Sequence, residues 1–498
     1  MIPDELAKLF LSKTQIQKLM ILKELESGTA SFNSLEENIE ISKRQIKENA
    51  MGLLKEIQKN NFDPSITLLI DKEAIQFKTK LKGVEYVELI NDFRGKYLSE
   101  SSLFQALLFV LEKRSFSILT MAVTLSYSES YAYKLLSKLK KFFYYMDCGI
   151  QLIKTNDNVI QLVGDESTLR IFHYLVISVA SKGNQWLFKT ITQKEILSIQ
   201  SYINSMRYEK LSPIGKNRVN YIVAVYEVAL KKGYKLSELG SEIVEVGELI
   251  NKEKEINLYL NYLKEEIGHN EAPLHEELIH LAFVINYFTQ EIRSDEEKQE
   301  LGKALYSMKN NSIVDRCIRI LDTIIKRYKL SKMFYYQLLY SLCNRLVVIH
   351  YLGLYKFMPL YNVPGIAGDM DYFVEECIVG NLGSYRYAPS FDKIKYSFTQ
   401  VITGYLGLTV SNKQKIYVEF FHRPEYKSTI ENAIKRNYNY EVLQITNNYP
   451  EADIVISDTH GYDKSKFFYF RDVFDQDSWE ELGMYLNKII SNEIMKNN

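Results

Sequence analysis

Residues 116–143 read FSILTMAVTLSYSESYAYKLLSKLKKFF, and this stretch decides how the N-terminal third of the chain folds. Its apolar residues recur at helical spacing, which predicts one helix over Phe116–Leu125 and a longer one over Ser128–Tyr145. We expect a helix over Leu103–Leu111 before them and a hairpin over Ile150–Leu162 after them. Three helices followed by a hairpin are the layout of a winged helix-turn-helix.

The long helix of this block has two chemically different faces. Four polar residues at positions i, i+4, i+8 and i+11 share one face: Ser130, Lys134, Lys138 and Lys141. Another face carries the apolar residues Leu135, Leu136, Leu139 and Phe143. One face can therefore pack against the domain while the other approaches phosphates.

The residues from Lys113 to Lys154 carry a local excess of positive charge. Seven are basic and two are acidic, a surplus of five, and such a surplus is an electrostatic footprint for nucleic acid. The basic ones are Lys113, Arg114, Lys134, Lys138, Lys140, Lys141 and Lys154.

A lysine-rich face is often only solvated, but this helix is the third of its unit, and Lys154 lies near the hairpin tip, where a wing would reach the DNA backbone. We therefore predict DNA contacts at Ser130, Lys134, Lys138, Lys141 and Lys154. Few Asn, Gln or Arg side chains face outward, which favours recognition of the DNA backbone and shape.

The same layout is predicted once more, nearer to the N-terminus. Residues 14–60 indicate three helices, with Ser34 and Ser42 at the N-caps of the second and third. After Pro64 the apolar period changes to two, which predicts a hairpin that turns at Asp71–Glu73. Three basic residues at the start of the third helix are further predicted DNA contacts: Lys43, Arg44 and Lys47. Nearby Glu36, Glu37 and Glu40 dilute their charge, so this block is the weaker candidate.

The rest of the chain changes pattern twice. Residues 169–390 are helical almost throughout, which is enough for two bundles. Beyond them, strands are predicted over Lys415–Phe421, Tyr440–Ile445 and Asp453–Ser457, and helices over Tyr426–Lys435 and Trp479–Ile494. Alternating strands and helices indicate a small α/β domain with a parallel sheet. At 498 residues we expect three to five domains in a mainly α protein: two winged helix-turn-helix domains, two helical bundles and the C-terminal α/β domain.

Composition restricts the class of protein further. The formal net charge is zero, so any basic footprint must be local. The four cysteines form no CxxC pair, which favours a reducing cytosol over a zinc knuckle or a disulfide framework. Asp4 and Glu5 stand where a signal peptide would be basic, and no apolar run approaches the roughly 18 to 20 residues that span a bilayer. We expect a cytoplasmic protein with no membrane contact, metal or cofactor.

Histidines are the remaining candidates for chemistry. His173 and His350 lie in apolar runs, where an imidazole is either a hydrogen-bonded core residue or an acceptor of a phosphoryl group. His275–Glu276 and His280 resemble a metalloprotease helix, but the two histidines are five residues apart and that motif needs four, so zinc hydrolysis is not expected. In the α/β domain, the turn Phe421–Pro424 could present backbone amides to a phosphate, although it has neither glycine nor cysteine.

The order of these blocks resembles the Mga/AtxA family of transcriptional regulators, which are virulence and global regulators of Gram-positive bacteria. The most specific stretches are Phe116–Phe143 and the junction IQLVGDESTLR at residues 160–170. The resemblance implies five domains. They are winged helix-turn-helix domains at 1–82 and 83–167, phosphotransferase-system (PTS) regulation domains, or PRDs, at 168–285 and 286–395, and a domain similar to the sugar-phosphotransferase EIIB at 396–498. By this resemblance the EIIB-like domain would form a dimer.

The resemblance also implies control by the PTS. PRDs of sugar-operon regulators accept phosphate on histidines, and PTS phosphocarrier proteins would then be transient partners. The candidate positions here are His173, His280 and His350. Residues 217–226, which correspond to a phosphorylated stretch, contain no histidine, so His173 and His280 are candidates by proximity only, while His350 matches the second PRD better. The EIIB-like domain lacks the phosphocysteine after its first strand, so no enzymatic activity is expected.

These observations predict a DNA-binding transcriptional regulator, an activator or global regulator that binds double-stranded DNA as a homodimer. Two alternatives belong to other classes. A PTS-controlled RNA antiterminator would begin with a small β RNA-binding domain, whereas residues 1–165 are helix-rich. A phosphocarrier protein would need the missing cysteine.

Overall fold

The structure is a computed structural model, which describes residues 9–59, 66–78, 83–181, 185–200, 206–251, 271–327, 330–358, 369–405, 414–438, 443–463 and 466–496. Over these residues the protein is mainly helical, as predicted, and its strands form three separate sheets. None of the described helices combines the length and apolar character that crossing a membrane requires.

The first block has three helices and a three-stranded antiparallel sheet. The helices are α1 (Lys13–Glu24), α2 (Phe32–Ile39) and α3 (Lys43–Lys59), and the strands are β1 (Thr29–Ser31), β2 (Leu68–Ile70) and β3 (Ala74–Phe77), in the order β1-β3-β2. Ser42 caps α3 as predicted, since its Oγ accepts from the Gln45 N–H at 3.4 Å. The predicted cap at Ser34 is wrong. Ser31 caps α2 instead, because the chain leaves β1 at this residue and its Oγ accepts from the Ser34 N–H at 3.1 Å.

The second block repeats this arrangement after a linking helix. The helices are α4 (Gly83–Glu100), α5 (Ser102–Lys113), α6 (Ile118–Leu125) and α7 (Glu129–Met146). The strands are β4 (Ser115–Phe116), β5 (Gln151–Lys154) and β6 (Ile160–Val163), in the order β4-β6-β5. The helices and the hairpin lie where the sequence predicts them, whereas the short strand before α6 was not predicted.

A long helical region follows the two blocks. Its helices are α8 (Glu166–Ser181), α9 (Gln193–Gln200), α10 (Met206–Lys210), α11 (Pro213–Leu230), α12 (Ser241–Ile250), α13 (Glu271–Phe288), α14 (Asp295–Tyr306), α15 (Ser312–Ile324), α16 (Lys332–Leu346), α17 (Asp369–Asn381) and α18 (Phe391–Tyr405). The predicted domain boundaries at 285/286 and 395/396 fall inside α13 and α18. The division into two PRDs therefore stays a prediction.

Aromatic packing joins this region to the second block. Phe142 and Phe143 of α7 contact Phe172 of α8, with ring centroids 6.1 and 5.8 Å apart. Phe172 in turn stacks on Phe357 at 5.4 Å. One hydrophobic core therefore continues from the third helix of the second block into the helical region.

The C-terminal part is a four-stranded parallel sheet with two helices. The elements are β7 (Gln414–Glu419), α19 (Tyr426–Asn437), β8 (Leu443–Ile445), β9 (Ile454–Ser457), β10 (Phe467–Tyr469) and α20 (Gln476–Lys496), and the strand order is β10-β9-β7-β8. All three strand pairs are parallel, which confirms the predicted parallel sheet. Strand β10 was not predicted.

Candidate nucleic-acid interface

The helix-turn-helix of the second block is formed by α6 and α7. Ser126 ends α6 in the left-handed region at φ 58°, and the Tyr127 N–H donates to the Ala122 carbonyl at 2.8 Å. Ser128 then caps α7, because its Oγ accepts from the Tyr131 N–H at 3.3 Å. Three residues thus separate the two helices, the turn length typical of this motif.

Helix α7 turns its apolar face into the core and its lysine face outward. The buried side chains are Ala132, Leu135, Leu136, Leu139, Phe142 and Phe143. The predicted DNA contacts Ser130, Lys134, Lys138 and Lys141 are all exposed. Lys154 is also exposed and ends β5 directly before the hairpin turn, which the Thr155 N–H closes on the Val159 carbonyl at 2.8 Å. The structure therefore places the five predicted residues on the third helix and at the tip of the wing.

Within the described part of the chain, the charges of these four lysines are not compensated. Over the ranges that the structure describes, Lys134, Lys138, Lys141 and Lys154 form no ion pair with a carboxylate. Exposed ammonium groups in this state can release counterions when they bind phosphates, which is the main source of affinity for nucleic acid.

Arg114 was counted in the predicted basic surplus, and this part of the prediction is wrong. Its side chain is only 2% exposed and its Nη2 lies 3.6 Å from Glu166 Oε1. Arg114 lies at the C-terminal end of α5 with φ 61°, which directs the chain into β4 and the guanidinium into the core. The positive face is consequently made of lysines alone.

Hydroxyl groups share the lysine face and were missed by sequence reasoning. Tyr133 is 49% exposed and Ser137 is also exposed, and they follow Ser130 at i+3 and i+7. Their hydroxyls can donate to or accept from base edges and phosphates. The helical spacing that identified the lysines could have identified both.

The basic residues of the first block are more engaged with their own domain. The Lys43 and Lys47 ammonium groups lie 5.0 and 5.1 Å from the centre of the buried Phe32 ring, a cation–π arrangement. Arg44 is exposed, but its Nε donates to Glu48 Oε1 at 3.0 Å. Lys43 and Lys47 are only partly exposed and Arg44 is paired with a carboxylate, so these three predicted DNA contacts offer less accessible charge than the second block does.

The three candidate histidines lie in different environments. His173 is fully buried, and burial holds its pKa well below the usual value. His280 is also fully buried. Its Nε2 lies 2.6 Å from Ser167 Oγ and its Nδ1 contacts Tyr226 Oη, while burial lowers its pKa.

His350 is partly exposed and lies in a π-helical turn, Val347–Tyr351, that continues α16. Its Nδ1 lies 2.6 Å from Ser390 Oγ, and burial lowers its pKa. Of the three candidates it offers the most accessible ring, and phosphorylation at each of them stays a prediction.

The turn after β7 does not hold its amides open for a phosphate. The N–H groups of Phe421 and His422 donate to Asp458 Oδ1 and Oδ2 at 2.8 and 3.4 Å. A carboxylate of the chain itself thus occupies the amide groups that the sequence suggested for a phosphate. Among the described residues, no group of three or more His, Cys, Asp and Glu side chains could hold a metal ion.

A capped third helix with exposed lysines, a three-residue turn and a β-hairpin wing define a winged helix-turn-helix domain of the DNA-binding class. The family model for the Mga helix-turn-helix domain matches residues 88–176, from α4 into α8. This match confirms the resemblance to Mga/AtxA regulators and supports a DNA-binding transcriptional regulator. No curated protein matches the chain.

Proposed function

We propose that the protein is a transcriptional activator that binds double-stranded DNA through α7 and the wing of its second block. The observation that carries this proposal is the face of exposed lysines, which form no ion pair with a described carboxylate, on the third helix of a domain that matches the Mga helix-turn-helix. Because the whole chain has no net charge, a polyanion such as DNA gains the most electrostatic binding energy at this positive face. The first block, with Lys43, Arg44 and Lys47, is a second and weaker contact.

Removing three lysines from α7 tests the DNA interface. Lys134→Ala, Lys138→Ala and Lys141→Ala together should weaken binding to any duplex by roughly tenfold or more at equal salt, because phosphate contacts carry no sequence information. Lys194, Lys303 and Lys326 are exposed lysines outside the two blocks, and the matched control replaces these three with Ala. Equal affinity of the two triple variants, measured by fluorescence anisotropy, would show that α7 is not the DNA-binding helix.

An RNA-binding antiterminator is the competing class, and gel-shift competition separates the two. A labelled duplex bound by the protein should be displaced by unlabelled duplex DNA at much lower concentration than by a structured RNA of equal length. A-form RNA has a deep, narrow major groove that a helix such as α7 does not enter. Preference for the RNA would favour antitermination.

We propose further that the helical region comprises two PRDs, at 168–285 and 286–395, and that the C-terminal domain pairs two cytoplasmic chains as a dimer. PTS phosphocarrier proteins would tune activity through His350. The partial exposure of its side chain supports this choice over the fully buried His173 and His280. The protein would not be an enzyme or a phosphocarrier itself, because Phe421 and His422 stand where a phosphocarrier of this kind needs its cysteine.

Phosphate transfer from purified general PTS proteins tests this regulation. Radiolabel should appear on the parent protein, disappear in His350→Ala and remain in His275→Ala, since His275 is an exposed histidine outside the predicted sites. Label that remains in His350→Ala would place the phosphate elsewhere, and an unlabelled parent would exclude PTS control of this kind.

A further inference from the structure

The carboxyl edge of the C-terminal sheet contacts three other parts of the chain. In open parallel sheets the loops at this edge form the ligand site. Here the loop after β7 meets α11, where Arg218 Nη2 donates to the Phe420 carbonyl at 3.1 Å. The loop after β9 meets α4, where Asn91 Nδ2 lies 3.2 Å from His460 Nδ1. The segment after β10 meets the first block, where Arg471 Nη1 lies 3.4 Å from Glu26 Oε2.

Helix α4, which His460 reaches, is fixed to the first block by two tyrosines. Tyr86 is 4% exposed, and its hydroxyl donates to the Lys23 carbonyl at the end of α1 at 2.9 Å. Tyr97 Oη donates to Glu56 Oε2 of α3 at 2.7 Å. These two hydrogen bonds join α4 of the second block to the first block, and the sheet contacts both of them, α4 through His460 and the first block through Arg471.

The contact at Glu26 is an ion pair embedded in acidic surroundings. Arg471 also lies 3.1 Å from Asp475 and 3.3 Å from Glu481, both within the C-terminal part itself. Glu26 is 27% exposed, and burial raises its pKa while Arg471 lowers it. Without the guanidinium, Glu26 would face Asp475 and Glu481 across this contact, so Arg471 compensates three carboxylates at once.

We infer that the carboxyl edge of the C-terminal sheet is an intramolecular docking surface that, together with α4, fixes the position of the first winged block relative to the second. Its partner is this chain's own segment around Glu26 and Asn91. The effect of this docking on DNA affinity rests on the proposed function, whereas the docking itself does not. Two blocks held at a fixed spacing bind one duplex without the entropy cost of orienting the first, so docking raises affinity for DNA long enough to meet both.

Reversing the charge at Glu26 tests the docking surface. Glu26→Arg opposes Arg471, whereas Glu300→Arg makes the same charge change at an exposed site of α14, outside both blocks, and is the matched control. Both variants should bind a duplex of about one helical turn, which one block fills, equally well. On a duplex of about three turns Glu26→Arg should bind about fivefold more weakly than Glu300→Arg. In the double variant Glu26→Arg/Arg471→Glu, the new arginine faces three carboxylates and affinity should return.

Spin-label distances report on docking without DNA. Labels at Glu37→Cys and Met484→Cys lie on exposed sites of the first block and of α20, and the four native cysteines are buried. We expect one narrow distance distribution, a broad one when Glu26→Arg is added, and a narrow one again with the charge swap. An unchanged distribution in Glu26→Arg, with equal affinity of the two arginine variants for the long duplex, overturns the inference. If even the parent fails to bind the short duplex, the proposed function is wrong, and the label distances still decide the docking.

Discussion

Glu419 lies at the end of β7, fully enclosed between the C-terminal sheet and α11. Its carboxyl accepts hydrogen bonds from Tyr462 Oη at 2.6 Å and from Ser212 Oγ. Arg218 Nη1 lies 3.5 Å from it and 3.0 Å from Glu291, so two carboxyl groups share one guanidinium. Burial and the neighbouring Glu291 raise the pKa of Glu419 to about 8. At neutral pH one proton is therefore retained in this contact.

This proton makes stability depend on pH with a definite sign. The folded protein keeps the proton on Glu419 up to about pH 8, whereas the unfolded chain loses it near the ordinary glutamate value of 4.5. Its contribution to stability is full below pH 4.5 and is lost as pH rises through 8. Glu291 has a lowered pKa, so its own effect falls on the acid side of this window.

Glu419→Gln keeps a neutral group in the site and should remove this pH dependence. Relative to the parent, the variant should gain in melting temperature as pH rises between about pH 5 and pH 9. Scanning calorimetry of both proteins checks this, with Glu480→Gln, an exposed glutamate of the same domain, as the control. Parallel curves for parent and Glu419→Gln would mean that the retained proton lies elsewhere.

At the scale of elements, two helical glycines have opposite surroundings. A Cβ at Gly302 of α14 would lie 1.8 Å from the Tyr336 carbonyl oxygen of α16, whereas a Cβ at Gly380 of α17 would have no atom within 4 Å. Gly302→Ala should therefore force α14 and α16 apart and destabilise the protein by about 1 to 3 kcal/mol. Gly380→Ala should stabilise it by about 0.5 to 1 kcal/mol, because alanine restricts the unfolded chain.

Thermal unfolding of the two alanine variants against the parent is the measurement. The two melting temperatures should move in opposite directions. A Gly302→Ala variant as stable as the parent would show that α14 and α16 are not packed backbone to backbone at this point.

The sequence predicts elements well where a single pattern runs long enough. Helix α7 has four turns of alternating apolar and lysine positions, and the parallel sheet follows from strands separated by helices. The strands β1, β4 and β10 have two or three residues each, too few to show an alternation of period two. They form because a neighbouring strand pairs with them, and that neighbour is up to 47 residues away, as for Thr29 and Gln76.

Side-chain partners from distant parts of the chain were the least predictable feature. The sequence alone does not distinguish Arg114 from the exposed basic residues near it, because its partner Glu166 comes close only in the folded protein. Likewise Arg218 and Glu419 belong to different domains of the predicted organisation, and nothing local in either segment indicates their ion pair. The lysine face could be predicted because it depends on helix geometry alone and needs no partner from elsewhere.

At the scale of the whole molecule, the contrast between a neutral chain and one positive face makes a quantitative prediction about salt. Each lysine that meets a phosphate should contribute about 0.9 to the slope of log K against log salt concentration. The triple variant of Lys134, Lys138 and Lys141 should therefore lower the slope on a one-turn duplex by about 3, and Lys154→Ala alone by about 1, whatever the base sequence. The control at Lys194, Lys303 and Lys326 should leave the slope unchanged, because exposed lysines on the helical region do not face the duplex.

Anisotropy titrations across a series of salt concentrations give each slope directly. If the triple variant and its control had the same slope, the attraction would arise from the chain as a whole or from the first block, and α7 would have no special place in DNA binding.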